Sequence, residues 1–356
     1  PLPMPTDRVA FAGEVVAVVV ARSAAEARDA AELVDVEYDE LPAALDLKQA
    51  AEDTVLAHPD LGTNKSAFWR FDSADAGTGG DVEAAIDKAR GDGIVLEREY
   101  RQQRLIPAFM EPRSVVVDPT GEQITVWSAT QVPHILRFAI AATTGVPESK
   151  IRVIAPDVGG GFGAKHGTTP EEILVAWLAR RLDRPVRWTE TRSENLVGMV
   201  QGRGQVQTAS IAGNRDGTIT GYRLDVVQEG GAYAGTGCVL PYMTRLMAPG
   251  CYAIDDVRVR IRSVVSNTST VGAYRGAGRP EAAAAIERMV DRFADEIGMD
   301  PADVRRKNLL TPDAFPLTTA TGGSYDSGDY VTVLDKALAA ADYEALLADQ
   351  AERRSS

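Results

Sequence analysis

Val158-Gly159-Gly160-Gly161-Phe162-Gly163-Ala164-Lys165 places four glycines in five residues between a short apolar segment and a strong helix start. The segment before it, residues 151–155, reads as a short buried strand. After it, Thr169 can cap a helix, Pro170 suits the first helical position, and Glu171 and Glu172 meet the positive end of the helix dipole. A glycine-rich loop in this setting lets backbone N–H groups crowd around an anion or a large cofactor. Two phosphate motifs are excluded. GxGxxG fails because Ala164 stands at the third glycine position, and GxxxxGK[ST] fails at both Ala164 and His166. Composition alone leaves two readings of the loop, a structural turn or an anion site.

Outward from the loop, the predicted elements are mixed. Toward the N-terminus, 13–20 and 34–38 read as strands around a helix at 24–33 capped by Ser23, a β–α–β unit. Residues 45–80 read as a connection ending in Gly77-Thr78-Gly79-Gly80, and Asp81 opens a helix at 82–89. Strands are predicted at 95–101, 114–118 and 124–128, the last two around the turn Pro119-Thr120-Gly121-Glu122, and a helix at 133–144. Beyond the loop come a helix to about residue 181, a strand at 186–190, and a hairpin of 205–212 with 218–228 around Asn214-Arg215-Asp216-Gly217. Helices follow at 280–297 and 301–308, the second capped by Asp300, and the alanine-rich tail from Tyr330 is helical. Hairpins and separate helices make the class α+β.

The chain has 356 residues, 44% of them hydrophobic and 25% charged, as in an ordinary globular protein of about two domains. The net charge of −13 argues against nucleic acid, which needs a basic surface. No apolar run approaches the ~18 residues of a membrane span. Two cysteines, Cys238 and Cys251, are too few for an iron–sulfur cluster or a disulfide framework and suit a reducing cytoplasm. The three histidines show no zinc spacing. The chain starts Pro1-Leu2-Pro3 without a methionine, so the expectation is a piece of a longer polypeptide.

Two further stretches join the glycine loop in a specific resemblance. They are Trp127-Ser128-Ala129-Thr130-Gln131-Val132-Pro133-His134 and Val271-Gly272-Ala273-Tyr274-Arg275-Gly276-Ala277-Gly278-Arg279-Pro280-Glu281. Read alone, Gln131 is a capping glutamine before a helix, Phe162 a core aromatic, and Arg275 with Arg279 a surface pair. Together and in this order, the three stretches resemble the large subunits of molybdenum hydroxylases, the family of xanthine dehydrogenase, aldehyde oxidase and aerobic carbon-monoxide dehydrogenase. Residues 7–19, Gly230-Gly231-Ala232-Tyr233-Ala234 and Arg305-Arg306-Lys307-Asn308-Leu309 also resemble the family.

The resemblance implies the end of an α/β hammerhead domain at 1–55, a connecting segment at 56–92, the first molybdopterin-binding domain at 93–330 and a helical tail at 331–356. It implies molybdopterin cytosine dinucleotide with molybdenum, held by Gln131, Gly160, Gly161, Phe162, Gly163, Arg275, Gly276 and Ala277. Gln131, Phe162 and Arg275 would take the catalytic roles. The Gln131 amide would donate to an oxygen ligand of the metal, a task suited to a donor that does not titrate. Phe162 would stand beside the metal, and Arg275 would orient an oxygen-bearing substrate or stabilise developing negative charge. Partner subunits would carry FAD and [2Fe-2S], and the substrate would be an aldehyde, an aromatic N-heterocycle or CO.

Three departures refine this. Copper-containing carbon-monoxide dehydrogenases have a cysteine directly after the Tyr-Arg pair, where this chain has Gly276, so no copper is expected; the loop is closest to form II large chains. Purine-oxidising members place a glutamate after the motif lysine, where this chain has His166. Family large subunits are also longer, and their general-base glutamate lies in the part beyond this chain. The chain alone is therefore expected to be inactive, and the competing reading is a cofactor-free fragment or assembly module of the same fold.

Overall fold

The computed structural model describes residues 3–355. Apart from a two-stranded ribbon of Leu317–Thr318 with Ser324–Tyr325, the described strands build two sheets: β1 (Lys65–Asp72), β2 (Ile94–Leu105), β3 (Ser114–Asp118), β4 (Ile124–Ser128), β5 (Ile151–Ile154), β6 (Val186–Thr189), β7 (Gly202–Gly213), β8 (Ile219–Glu229) and β9 (Asp256–Val264). The larger sheet runs β1-β9-β8-β7-β2 and the smaller β5-β4-β3-β6.

The large sheet is explained by period-two alternation. In β9, Val257, Val259 and Ile261 are buried, while Arg258, Arg260 and Arg262 turn to the other face. In register, Val257, Val259 and Ile261 lie beside Tyr222, Leu224 and Val226 of β8, forming one apolar face. The helix Arg279–Ile297 covers that face with Ala285, Ile286, Met289, Val290 and Phe293. At one end the face turns polar, with Gln205 and Gln207 of β7 and Gln228 of β8 completely buried. These glutamines satisfy one another and nearby groups, Gln205 Nε2 donating to Gln228 Oε1 at 2.8 Å and Gln207 Nε2 to Gln205 Oε1 at 2.7 Å. A buried polar group is tolerated only when paired, and this polar end lies next to the candidate site.

Tyr222 breaks the pairing rule, because its buried hydroxyl has no hydrogen-bond partner among the described residues. Tyr222→Phe is therefore expected to leave the chain as stable or up to about 1 kcal/mol more stable, because an unpaired buried hydroxyl is removed. The urea midpoint measures this, and a clear fall would contradict it.

The small sheet pairs β4 with β5 in parallel and its other strands antiparallel. The helix Pro133–Thr144 connects the two parallel strands, and with the helix Pro170–Leu182 it packs Leu136, Ile140, Ile173, Ala176 and Ala179 onto Val115, Val117 and Val126. Glu172 anchors the second helix. Its carboxylate accepts from Thr169 N–H at 2.9 Å and from Ser128 Oγ at 2.6 Å, and burial pushes its pKa up.

Several expected elements differ in the structure. The strands expected at 13–20 and 34–38 are absent: no described residue pairs with them, and Val16, Val18, Val34 and Val36 stand exposed on either side of the helix Ala24–Ala31. Alternation gives a segment the side chains of a strand, but a ladder also needs a neighbouring backbone. Residues 65–72, read as connection, form the edge strand β1 against β9. β9 itself was not anticipated. The tail is two helices, Tyr330–Ala340 and Tyr343–Ser355, divided near Asp342 at φ +48°; Ser356 lies outside the described residues. No described helix is long and apolar enough to cross a membrane.

Candidate functional site

The parallel pairing of β4 and β5 brings the first two motifs together. In α/β sheets, ligands gather at the carboxyl ends of parallel strands. Gln131 follows the end of β4 and the glycine loop follows the end of β5, so both emerge at the same edge. The Gln131 side chain then meets the loop, its Oε1 accepting from Gly163 N–H at 3.0 Å. Its backbone N–H donates to Lys165 O at 3.0 Å. A Cβ on Gly161 would lie 2.7 Å from the Gln131 Cδ, so the Gln131 amide occupies the room that this glycine leaves. With Oε1 engaged, the Gln131 Nε2 has no acceptor among the described residues and remains a free donor.

The loop backbone is strained in a localised way. Gly160 and Gly163 have φ of +100° and +98°, and Phe162 between them has φ of +52°. An aromatic residue in the left-handed region is uncommon, and such strain persists only where the surroundings enforce it, typically at functional sites. Phe162 is also 43% exposed, so core packing does not account for its conformation.

The third motif joins through the backbone. Arg275 N–H donates to Phe162 O at 2.9 Å. The loop is held from behind by Arg203, which donates to Tyr274 O at 3.1 Å and Arg275 O at 2.8 Å and stacks on the Tyr274 ring at 4.9 Å. Arg203 pairs with buried Glu281 at 3.5 Å. From the glutamine network, Thr244 Oγ1 donates to Gly278 O at 3.0 Å. The Arg275 guanidinium is exposed and has no partner among the described residues. Gly276 and Ala277 follow with φ of +99° and +46°, completing the turn before the long helix.

The structure thus gathers Gln131, residues 160–163 and residues 275–277 at one edge, linked by the bonds of Gly163 and Arg275. Sequence reasoning missed the supporting shell: Arg203, Glu281, Glu111 and the burial of Lys165. The glutamines Gln205 and Gln207 alternating with Val206 and the flanking Gly202-Arg203-Gly204 were the available signals. Neither cysteine adds a nucleophile. Burial pushes the Cys238 thiol up, and burial with the nearby Glu287 carboxylate pushes Cys251 up to about 11.

A family model described as the molybdopterin cofactor-binding domain matches residues 58–309, and one described as the aldehyde oxidase and xanthine dehydrogenase a/b hammerhead domain matches residues 1–42. The chain is 35% identical to the carbon monoxide dehydrogenase large chain of Hydrogenophaga pseudoflava, over 98% of this chain and 45% of that protein. Quinoline 2-oxidoreductase from Pseudomonas putida 86 superimposes with a TM-score of 0.91 at 33% identity, covering 99% of this chain and 44% of that one. A Cu,Mo-CO dehydrogenase superimposes with a TM-score of 0.91 at 30% identity, covering 99% of this chain and 46% of that one. The chain therefore spans less than half the length of each of these proteins. With the match across the cofactor-binding core, it belongs to the molybdenum hydroxylase family, as the molybdopterin-binding part of a large subunit.

Proposed function

We propose that the edge formed by Gln131, residues 160–163 and residues 275–277 seats the molybdenum cofactor of a hydroxylase. Its substrate is an aldehyde, an aromatic N-heterocycle or CO, oxidised with oxygen drawn from water. One observation carries the reading: the Gln131 amide nitrogen and the Arg275 guanidinium have no hydrogen-bond partner among the described residues, and their segments are joined through Gly163 N–H and the left-handed Phe162 carbonyl. Unpartnered polar groups on a buttressed frame suit a large polar ligand.

When bound, the cofactor supplies the two-electron oxidation and oxygen transfer. The chain's own residues orient and stabilise. Gln131 Nε2 donates a hydrogen bond without changing charge with pH. Phe162 offers an apolar wall that limits water. Arg275 holds an oxygen-bearing substrate and balances negative charge that develops on it. Gly160, Gly161, Gly163, Gly276 and Ala277 bring backbone close to the ligand. The cytosine dinucleotide form of the cofactor, and FAD and [2Fe-2S] on partner subunits in the cytoplasm, complete the proposal. A chain with two separated free thiols needs such partners to pass electrons onward.

Copper has no place in this reading. Gly276 has φ of +99°, and a Cβ there would lie 2.6 Å from Pro280 Cδ, so a cysteine could not adopt the present loop conformation. Metal analysis of the purified full chain is expected to find molybdenum with pterin and no stoichiometric copper. A folded chain without molybdenum or pterin would favour the cofactor-free alternative, and stoichiometric copper would refute the reading of Gly276. Oxidation assays on the enzyme assembled with its partner subunits, with an aromatic aldehyde, quinoline and CO, then separate the substrate classes.

A further inference from the structure

We infer that Glu111 is a positioning residue that clasps the glycine loop at its base, and that retention of the cofactor depends on this clasp. The inference rests on the reading of that loop as part of the cofactor seat. Glu111 lies in the segment between β2 and β3, well away from the loop in sequence. Its Oε2 accepts from Gly159 N–H at 2.7 Å and from Lys165 Nζ at 3.0 Å. One carboxylate oxygen thereby takes a donor from each end of residues 159–165. Two more bonds repeat the pattern: Lys165 Nζ donates to Glu111 O at 2.9 Å, and Glu111 N–H donates to Gly159 O at 3.2 Å. A Cβ on Gly159 would sit 2.5 Å from Glu111 Cβ, so the two backbones meet directly.

The clasp is also a charge pair. The Lys165 side chain is only 1% exposed and its ammonium lies 4.5 Å from the centre of the buried Phe109 ring. A buried ammonium requires an opposite charge, and Glu111 is its ion-pair partner. Burial works to raise the Glu111 pKa, but hydrogen bonds from Lys165 and Gly159 outweigh it and hold the carboxyl below its ordinary range. The segment is fixed in turn, since Arg192 Nη2 donates to Phe109 O at 2.7 Å.

What the clasp holds in place is the left-handed run Gly160, Phe162 and Gly163. Strained backbone survives only when its surroundings over-determine it. Inside the loop, Ala164 N–H donates to Gly161 O and His166 N–H to Gly163 O, which shape the turn but leave its ends unanchored. Glu111 anchors the Gly159 end and shares the Lys165 end with the Gln131 backbone N–H, which donates to Lys165 O at 3.0 Å.

The test is hydrogen exchange of amides in peptides spanning 159–165, with molybdenum and pterin counted on the same preparations of the full chain. Glu111→Ala is expected to speed exchange over 159–165 by about tenfold or more, as loss of charge-assisted hydrogen bonds predicts. Peptides from β8 and β9 should exchange as before, and cofactor content should fall. Glu111→Gln keeps an acceptor for Gly159 but leaves the buried Lys165 ammonium without a counter-charge, so it is expected to recover only part of the loop's protection and of the cofactor content. Unchanged exchange over 159–165 in both variants overturns the clasp, as does a rise spread evenly over the chain. A loosened loop with undiminished cofactor overturns its link to retention. If Glu111→Ala does not fold, Glu111→Gln against the wild type decides, a small rise confined to 159–165 supporting the clasp and no rise overturning it. A wild-type chain lacking molybdenum overturns the cofactor reading and the retention claim, while the exchange comparison still decides the clasp.

Discussion

Arg275→Ala is expected to lower kcat/KM by about 10²–10³ while leaving folding and cofactor content unchanged, the loss typical of removing one preorganised donor to developing charge. The separation of effects follows from geometry. The guanidinium has no partner among the described residues, so its removal breaks no internal bond. The bonds that fix the loop are made by the Arg275 backbone, to Phe162 O and from Arg203, and alanine keeps both. Arg275→Lys should recover little, because an ammonium cannot reproduce the planar two-pronged donor. The measurement is steady-state kinetics of the enzyme assembled with its partner subunits, on whichever of the three substrate classes it oxidises, beside a melting curve and a molybdenum count. An Arg275→Ala enzyme with unaltered kcat/KM would remove Arg275 from the chemistry. Equal losses of stability and activity would make it structural.

The three motifs could be read in the sequence because each is a run of neighbouring residues whose chemistry is local. Their meeting could not. Gln131 reaches the glycine loop because β4 and β5 are parallel neighbours, and parallel pairing depends on the helix between them rather than on either strand alone. The Glu111 clasp spans separations of 48 and 54 residues, and no local pattern marks such a pair. β9 was legible and went unread, since Val257, Val259 and Ile261 alternate with arginines without a break. Arg258 pairs with Glu83 and Arg260 with Asp225, so the charges that obscured the strand are paired on its other face. The opposite outcome arose at 13–20, a valine-rich run, and at 34–38, an alternating one, where no described strand lies alongside. Burial of Lys165 also runs against the usual exposure of lysine and could be recognised only from its partners.

Arg113→Ala is expected to cost about 3–5 kcal/mol of stability, as for removal of one member of a buried charge cluster. Arg113 stands just before β3 with its side chain 8% exposed. Its Nε and Nη2 donate to Glu190 Oε1 at 2.9 and 2.5 Å, and Nη1 and Nη2 donate to Glu171 at 2.7 and 3.0 Å. Burial works against the charged guanidinium, but the Glu171 and Glu190 carboxylates outweigh it and hold the pKa above its ordinary value. The Glu190 side chain is fully buried and also accepts from Asn195 Nδ2 at 3.0 Å. Deleting the arginine leaves a buried carboxylate whose remaining side-chain donor is neutral, and that uncompensated charge is the main penalty. For a chain of this size, the loss corresponds to a fall in Tm of roughly 5 °C. The cluster ties β3 and β6 to the helices Pro170–Leu182 and Arg192–Gly198, and it flanks the segment bearing Glu111. Arg113→Met combined with Glu190→Gln should therefore recover part of the loss, because the fully buried Glu190 charge goes with the arginine and the volume is kept, while the less buried Glu171 carboxylate loses its partner. Arg113→Met alone should not. If the single substitution proves as stable as the pair, the cluster is not what holds this side of the site, and the penalty assigned to the unpaired Glu190 carboxylate is wrong.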